Sequence, residues 1–353
     1  MENRMSNRYL LGKPDDFHDF VKSLKKEDKI GIITHTDLDG LASGIFLQTI
    51  LESLGLKIEF TKFLDYNSNA LENVEEGVDV LFFSDWSVDN FEDDFNRMRS
   101  KVRVLAIDHH PLNENLKDKT GLIKTESKYC SAHTLFDLAK QGKYFDTSEG
   151  EWLVCGAIIF DYTFMEDNNF EFLKSIYPTA TKEDIWNSKP ALISKKIANS
   201  LIYYKPDIER VYRMVLNKDF KSLDKADEVV SKEYADWKLK YKKEAEYFPG
   251  SELYFYYATP EYGISSAVVS AVSQQEVPNK TLIFASDDQN KKGFIKVSAR
   301  NQSGDVELGK VLKKCVEGFE ESNAGGHDRA AAGGFPAKYL DEFKARLILE
   351  LKK

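Results

Sequence analysis

Asp108-His109-His110 places a carboxylate and two imidazoles in a row, directly after the apolar stretch Val102-Arg103-Val104-Leu105-Ala106-Ile107, which reads as a strand. At a strand's C-terminal end these groups suit metal or phosphate chemistry. Two further segments have the same form. Lys29-Ile30-Gly31-Ile32-Ile33-Thr34 runs into His35-Thr36-Asp37-Leu38-Asp39-Gly40, and Val78-Asp79-Val80-Leu81-Phe82-Phe83 runs into Ser84-Asp85. If the first of these ends stays extended, Asp37, Asp39 and His35 point the same way, because strand side chains alternate with period two. One imidazole and two carboxylates suit a hard or borderline divalent ion such as Mn2+ or Mg2+. Alone, Asp-x-Asp-Gly reads more readily as a turn or a helix cap, and His-His is as often structural as functional. Three such clusters at equivalent ends of one sheet point to a single shared site, with ligands enough for two ions and for phosphoester hydrolysis.

The elements around these clusters give them that common position. Strand-like runs alternate with helix-like stretches through about residue 160, and Leu41 to Leu54 has the apolar spacing of a helix packed on a sheet. This is the pattern of a parallel α/β sheet, in which ligands gather beyond the carboxyl ends of the strands. From residue 163 to 248 the sequence becomes charged and helix-like, until Pro249-Gly250 breaks it. Residues 252–258, 280–285 and 293–300 then read as strands of a second α/β domain, with a helix opening near Ser266. The expected division is a metal-binding catalytic domain over 1–165, a helical cover and connector over 166–248, and a smaller substrate-binding domain over 249–353.

A chain of 353 residues, 42% hydrophobic and 30% charged, has the composition of a soluble globular protein of two domains. No apolar run approaches the ~20 residues of a membrane helix, and the first residues lack the apolar core of a secretory signal. Cys130, Cys155 and Cys315 form no C-x-x-C pair, which favours a reducing cytoplasm. The net charge of -9 argues against a protein that coats long nucleic acid through a broad basic surface. A small anionic ligand held beside divalent cations is compatible with it.

Near the end, Asn323-Ala324-Gly325-Gly326-His327 precedes Ala330-Ala331-Ala332-Gly333-Gly334. Adjacent glycines let backbone N–H groups approach an anion, and an imidazole beside them can donate to phosphate. Arg300, at the end of an alternating strand, is a natural partner for phosphate oxygens. Taken singly, the glycine run is a tight helix entry as readily as an anion loop.

His35-x-Asp37-x-Asp39-Gly40, Asp85, Asp108-His109-His110 and the Gly325-Gly326-His327 run together resemble the DHH phosphoesterases of the DHH–DHHA1 type. The His35 to Asp37 spacing is closer to the RecJ-like members than to the small oligoribonuclease or pAp-phosphatase members. Ala324 stands where many members have a third glycine. The resemblance implies two Mn2+ ions, with Mg2+ as the substitute, in the N-terminal domain and a C-terminal domain that holds the substrate. By the same resemblance Asp37 binds one ion, Asp39 and His109 the other, and Asp85 bridges them. Asp161, after the apolar run Leu153 to Phe160, is the expected further acid, and His35 is a further candidate metal ligand. Asp108 is expected to orient an imidazole and His110 to face the scissile phosphate, while Arg300, Gly325, Gly326 and His327 contact the substrate.

The first hypothesis is a Mn2+-dependent exonuclease that releases nucleoside monophosphates from single-stranded RNA or DNA or a short oligonucleotide. The alternative is a phosphodiesterase or phosphatase for cyclic or linear dinucleotides or pAp. A non-catalytic nucleic-acid-binding scaffold is disfavoured by the complete ligand set. The sequence leaves open RNA against DNA, polarity, substrate length and whether the chain forms a homodimer.

Overall fold

The structure is a computed structural model that describes residues 8–66, 70–289, 291–326 and 328–352. The chain divides into two units, Met1–Asp227 and Glu228–Lys353. Each is built on its own six-stranded sheet, so the mixed α/β class read from the sequence holds for both.

In the first unit the strands are β1 (Tyr9–Leu11), β2 (Ile30–Thr34), β3 (Ile58–Phe63), β4 (Val80–Ser84), β5 (Arg103–Asp108) and β6 (Leu122–Thr125). Their order across the sheet is β1-β6-β5-β4-β2-β3, parallel throughout except for β1. The helices are α1 (Pro14–Lys22), α2 (Leu38–Ser53), α3 (Glu92–Arg99), α4 (Ser131–Gly142), α5 (Glu151–Phe160), α6 (Asp167–Ile176), α7 (Lys189–Tyr203) and α8 (Ile208–Leu216). Strands β2 and β4 are buried along their whole length because helices and loops cover both sheet faces, which is why they read as continuous apolar runs. Ile32, Phe82, Leu105 and Ile107 face one hydrophobic core, while Ile33, Leu81, Phe83, Val104 and Ala106 face the other. Helices α6 to α8 belong to this unit and pack Leu173, Ile197, Leu201 and Val211 into the first core.

The chain runs from β2 to β3 on one side and then returns to place β4 on the other side of β2. Strand order therefore reverses between β2 and β4, and in open parallel sheets ligands gather beyond the carboxyl ends of the strands at such a point.

Helix α9 (Asp224–Glu244) leads into the second unit, which contains β7 (Glu246–Phe248), β8 (Leu253–Tyr257), α10 (Ser265–Gln275), β9 (Thr281–Asp287), β10 (Phe294–Arg300), α11 (Leu308–Val316), β11 (Asn323–Gly326), β12 (Ala330–Pro336) and α12 (Leu340–Glu350). Its sheet order is β11-β12-β10-β9-β8-β7, with β8 and β9 parallel around α10. Phe255, Ile283, Val297, Leu312, Phe335 and Phe343 form its core.

Candidate metal centre

Three loops leave the carboxyl ends of β2, β4 and β5 beside the reversal point, and they carry most of the chemistry-bearing side chains. Strand β2 ends at Thr34 and the chain turns at once into α2, so Asp37 and Asp39 do not lie on an extended strand as period-two alternation expects. Asp37 is the N-cap of α2. Its Oδ1 accepts the Gly40 N–H at 2.9 Å, and its Oδ2 lies 2.9 Å from His35 Nδ1. Asp39 is buried in the first helical turn. A helix start, not a strand pleat, brings the two carboxylates together, and Gly40 makes it feasible: a Cβ there would lie 2.3 Å from the His35 carbonyl oxygen. Cap and candidate ligand are the same residue at Asp37.

Asp39 reaches α4, where its Oδ2 accepts the Ser131 N–H at 2.8 Å and its Oδ1 the Ala132 N–H at 2.9 Å. The carboxylate thus satisfies two orphan donors at the positive end of that helix. Ser131, the first residue of α4, directs its hydroxyl to Asp85 Oδ1 at 3.2 Å.

Asp85 is wholly buried, and its φ of 55° lies in the left-handed region that a non-glycine residue seldom adopts. Such backbone conformations concentrate at functional sites. His109 Nε2 lies 3.3 Å from Asp85 Oδ1 and 3.8 Å from Asp39 Oδ2. On the other side of the ring, Nδ1 is 3.3 Å from the Ser127 carbonyl and 3.8 Å from Oδ2 of Asp161, the C-cap residue of α5. Among the described residues, three sets of donor atoms each lie within 4.8 Å of one another: His35, Asp37 and Asp85; Asp39, His109 and Asp161; and Asp85, His109 and His110.

Burial and the mutual repulsion of acids dominate the electrostatics of this cluster. Burial, and then the charges of Asp39, Asp37, Asp108 and Asp161, push the Asp85 carboxyl well above its ordinary range. Burial likewise raises Asp161, against the pull of His109. Loss of solvent alone would lower His109, but Asp161, Asp39 and Asp108 raise it overall. Oδ2 of Asp85 and Oδ2 of Asp161 are buried with no hydrogen-bond partner among the described residues. Buried carboxylates of this kind need a counter-charge, and an oxygen-rich set with two imidazoles fits divalent cations.

Behind the ligands, Asp108 is buried and its Oδ1 accepts from His110 Nδ1 at 2.7 Å. Sequence reasoning passes over two neighbours. Lys124, on β6, is fully buried against Asp108 and Asp89, although a lysine in a strand ordinarily signals a solvent-facing position. Tyr66 stacks on Trp86 with ring centroids 4.8 Å apart, and its ring is 5.2 Å from that of His35 and 5.9 Å from that of His110.

The remaining predicted site residues belong to the second unit. Arg300 ends β10, where its Nε donates to Ser270 Oγ and its Nη2 to Ser266 Oγ, each at 2.8 Å. Gly325 and Gly326 do not form the loop expected of a glycine pair. They lie in β11, at the sheet edge, paired with Ala332 and Ala331. The missing side chain of Gly309 allows the start of α11 to approach this strand, since a Cβ there would lie 2.3 Å from the Gly326 carbonyl oxygen. His327 lies outside the described residues.

Residues 29–158 match the DHH family, N-terminal domain, and residues 253–353 match the DHHA1 domain. The chain belongs to the DHH family and carries a C-terminal DHHA1 domain. At the level of sequence it matches no curated protein. Among solved structures it is similar to RecJ in complex with Mn2+ from Thermus thermophilus, with 15% identity and a TM-score of 0.74, covering 96% of this chain and 54% of that one. It is also similar to exonuclease RecJ bound to manganese, with 15% identity and a TM-score of 0.72 over 96% of this chain and 94% of that one. An exopolyphosphatase-related protein from Bacteroides fragilis aligns with 15% identity and a TM-score of 0.59, over 96% of this chain and 97% of that one. The chain thus spans about half the length of the Thermus protein, 54%. At these identities the likeness is one of fold.

Proposed function

We propose that the chain is a metal-dependent phosphodiesterase that removes nucleoside monophosphates from an end of single-stranded or short oligonucleotides. The observation that carries this reading is the convergence of Asp37, Asp39, Asp85, Asp161, His35 and His109 at the reversal point, with Asp85 and Asp161 each leaving a buried oxygen without a hydrogen-bond partner among the described residues. His35, Asp37 and Asp85 would hold one Mn2+, and Asp39, His109 and Asp161 a second, with Asp85 between them. Mg2+ is the alternative ion. Such a pair, when bound, acidifies water and neutralises charge on phosphoryl oxygens.

The chain's own residues do the rest. Backbone amides of α4 fix both oxygens of Asp39, and the Ser131 hydroxyl fixes one of Asp85, so the ligands are set before any ion arrives. Asp108 takes the Nδ1 side of His110, which leaves Nε2 of this partly exposed ring to donate to a phosphoryl oxygen when the imidazole is protonated. Arg300, Gly325, Gly326 and His327 are proposed substrate contacts. The two similar RecJ structures, one of them of an exonuclease and both bound to manganese, support the choice of reaction and ion.

A second reading, a phosphodiesterase or phosphatase for dinucleotides or pAp, draws support from the net charge of -9, which disfavours long polyanions. An assay with Mn2+ on 5′- and 3′-labelled single strands from two nucleotides upward, beside cyclic dinucleotides and pAp, separates the two. Stepwise shortening from one end at all lengths is expected. Turnover confined to dinucleotides or pAp would replace the first reading by the second.

A further inference from the structure

The buried ammonium of Lys124 touches the elements that build the metal centre. Lys124 stands opposite Asp108 in the β5–β6 register. Its side chain is completely buried, as is that of Asp89. Nζ lies 2.5 Å from Asp108 Oδ2, 2.9 Å from Asp89 Oδ1, 3.1 Å from Ser87 Oγ and 3.2 Å from the His110 carbonyl oxygen. Asp89 in turn accepts the Asn113 N–H at 2.8 Å and the Ser87 hydroxyl at 2.9 Å. One cation therefore ties the loop after β4, which carries Asp85, to the loop after β5, which carries His109 and His110.

The two oxygens of Asp108 are divided between Lys124 and His110. With Oδ2 held by the ammonium, the carboxylate cannot rotate without breaking a buried, charge-assisted hydrogen bond. Oδ1 is then fixed where it accepts from Nδ1 of His110, and the His110 carbonyl is held by the same ammonium. An isolated surface lysine could do none of this, and a buried one that only neutralised charge would not need to reach the His110 backbone.

We infer that Lys124 is a positioning residue, which sets the orientation of the His110 ring through Asp108 and its backbone through the His110 carbonyl; this rests on the phosphodiesterase reading of the centre. The exchange of the His110 Nδ1–H with water, followed by proton NMR in the Mg2+-supplemented chain and assigned by its loss in His110→Gln, reads the orientation without reference to turnover. In Lys124→Met, exchange is expected to quicken by about tenfold or more. On an oligonucleotide substrate kcat is expected to fall about 10- to 100-fold, with KM changed by less than about threefold.

Lys124→Met also leaves two buried carboxylates without their cation, so the fold itself needs a control. Combining it with Asp89→Asn removes one of those charges. The melting temperature of the double variant should recover, while Nδ1–H exchange stays fast and kcat stays low. Unchanged exchange in Lys124→Met, or recovery of exchange and kcat together with the melting temperature, would overturn the inference. If the unaltered chain hydrolyses no phosphoester, the phosphodiesterase reading fails, and the exchange measurement still decides the role of Lys124.

Discussion

Asp85 combines three costs at one residue: a buried carboxyl, a left-handed backbone and an oxygen without a hydrogen-bond partner among the described residues. Hydrophobic packing alone does not offset these, whereas a bound cation addresses the first and third. The two histidines beside it differ in what they face. His109 points Nε2 at Asp85 and Asp39, while His110 turns Nδ1 towards Asp108. His109→Gln should therefore weaken Mn2+ binding by about tenfold or more. His110→Gln should leave Mn2+ binding unchanged and lower kcat by about a hundredfold. Calorimetric Mn2+ titration of both variants checks the division; equal loss of affinity in both would refute it. Asp39 gives a separate prediction. Both of its oxygens accept backbone N–H groups of α4, and an asparagine would set its NH2 against one of them. Asp39→Asn should cost about 1–3 kcal/mol of stability in urea unfolding, even without added metal.

At the scale of elements, the centre is a set of strand ends and helix starts, and only part of that geometry can be read from the chain. Strands β2, β4 and β5 are legible because burial on both faces makes them continuous apolar runs, and their polar successors then fall at carboxyl ends. The form of the Asp37 and Asp39 pair is not legible, because two acids separated by one residue suit a pleat and a helix N-terminus alike. Gly40 is the available sign, since only a residue without Cβ fits beside the His35 carbonyl. Gly40→Ala should accordingly displace the His35–Asp37 loop, lowering the melting temperature and weakening Mn2+ binding together. A normal melting temperature with unaltered Mn2+ affinity would show that the close approach does not matter. Gly325 and Gly326 read as a loop because glycine favours loops, but pairing with β12 and close packing at Gly309 make them a strand. Lys124 is hidden in the sequence because nothing local to a strand lysine reveals two buried carboxylates contributed by neighbouring segments.

For the whole molecule, the candidate metal centre lies entirely in the unit spanning Met1–Asp227, while Arg300, Gly325 and Gly326 belong to the unit spanning Glu228–Lys353. No helix among the described residues is long and apolar enough to cross a membrane. Ions that bind only the folded first unit must stabilise it, by about 2.7 kcal/mol when free Mn2+ is a hundredfold above its dissociation constant. A Mn2+-dependent rise in its melting temperature is therefore expected, and it should be reduced in Asp85→Asn. The most direct test of the central claim is the hydrolysis of end-labelled oligonucleotides in Mn2+ by the chain and by its Asp85→Ala variant, with circular dichroism confirming that both are folded. The expected result is mononucleotide release by the chain and none by the variant; Mn2+-dependent release that persists in folded Asp85→Ala would contradict the shared-ligand centre.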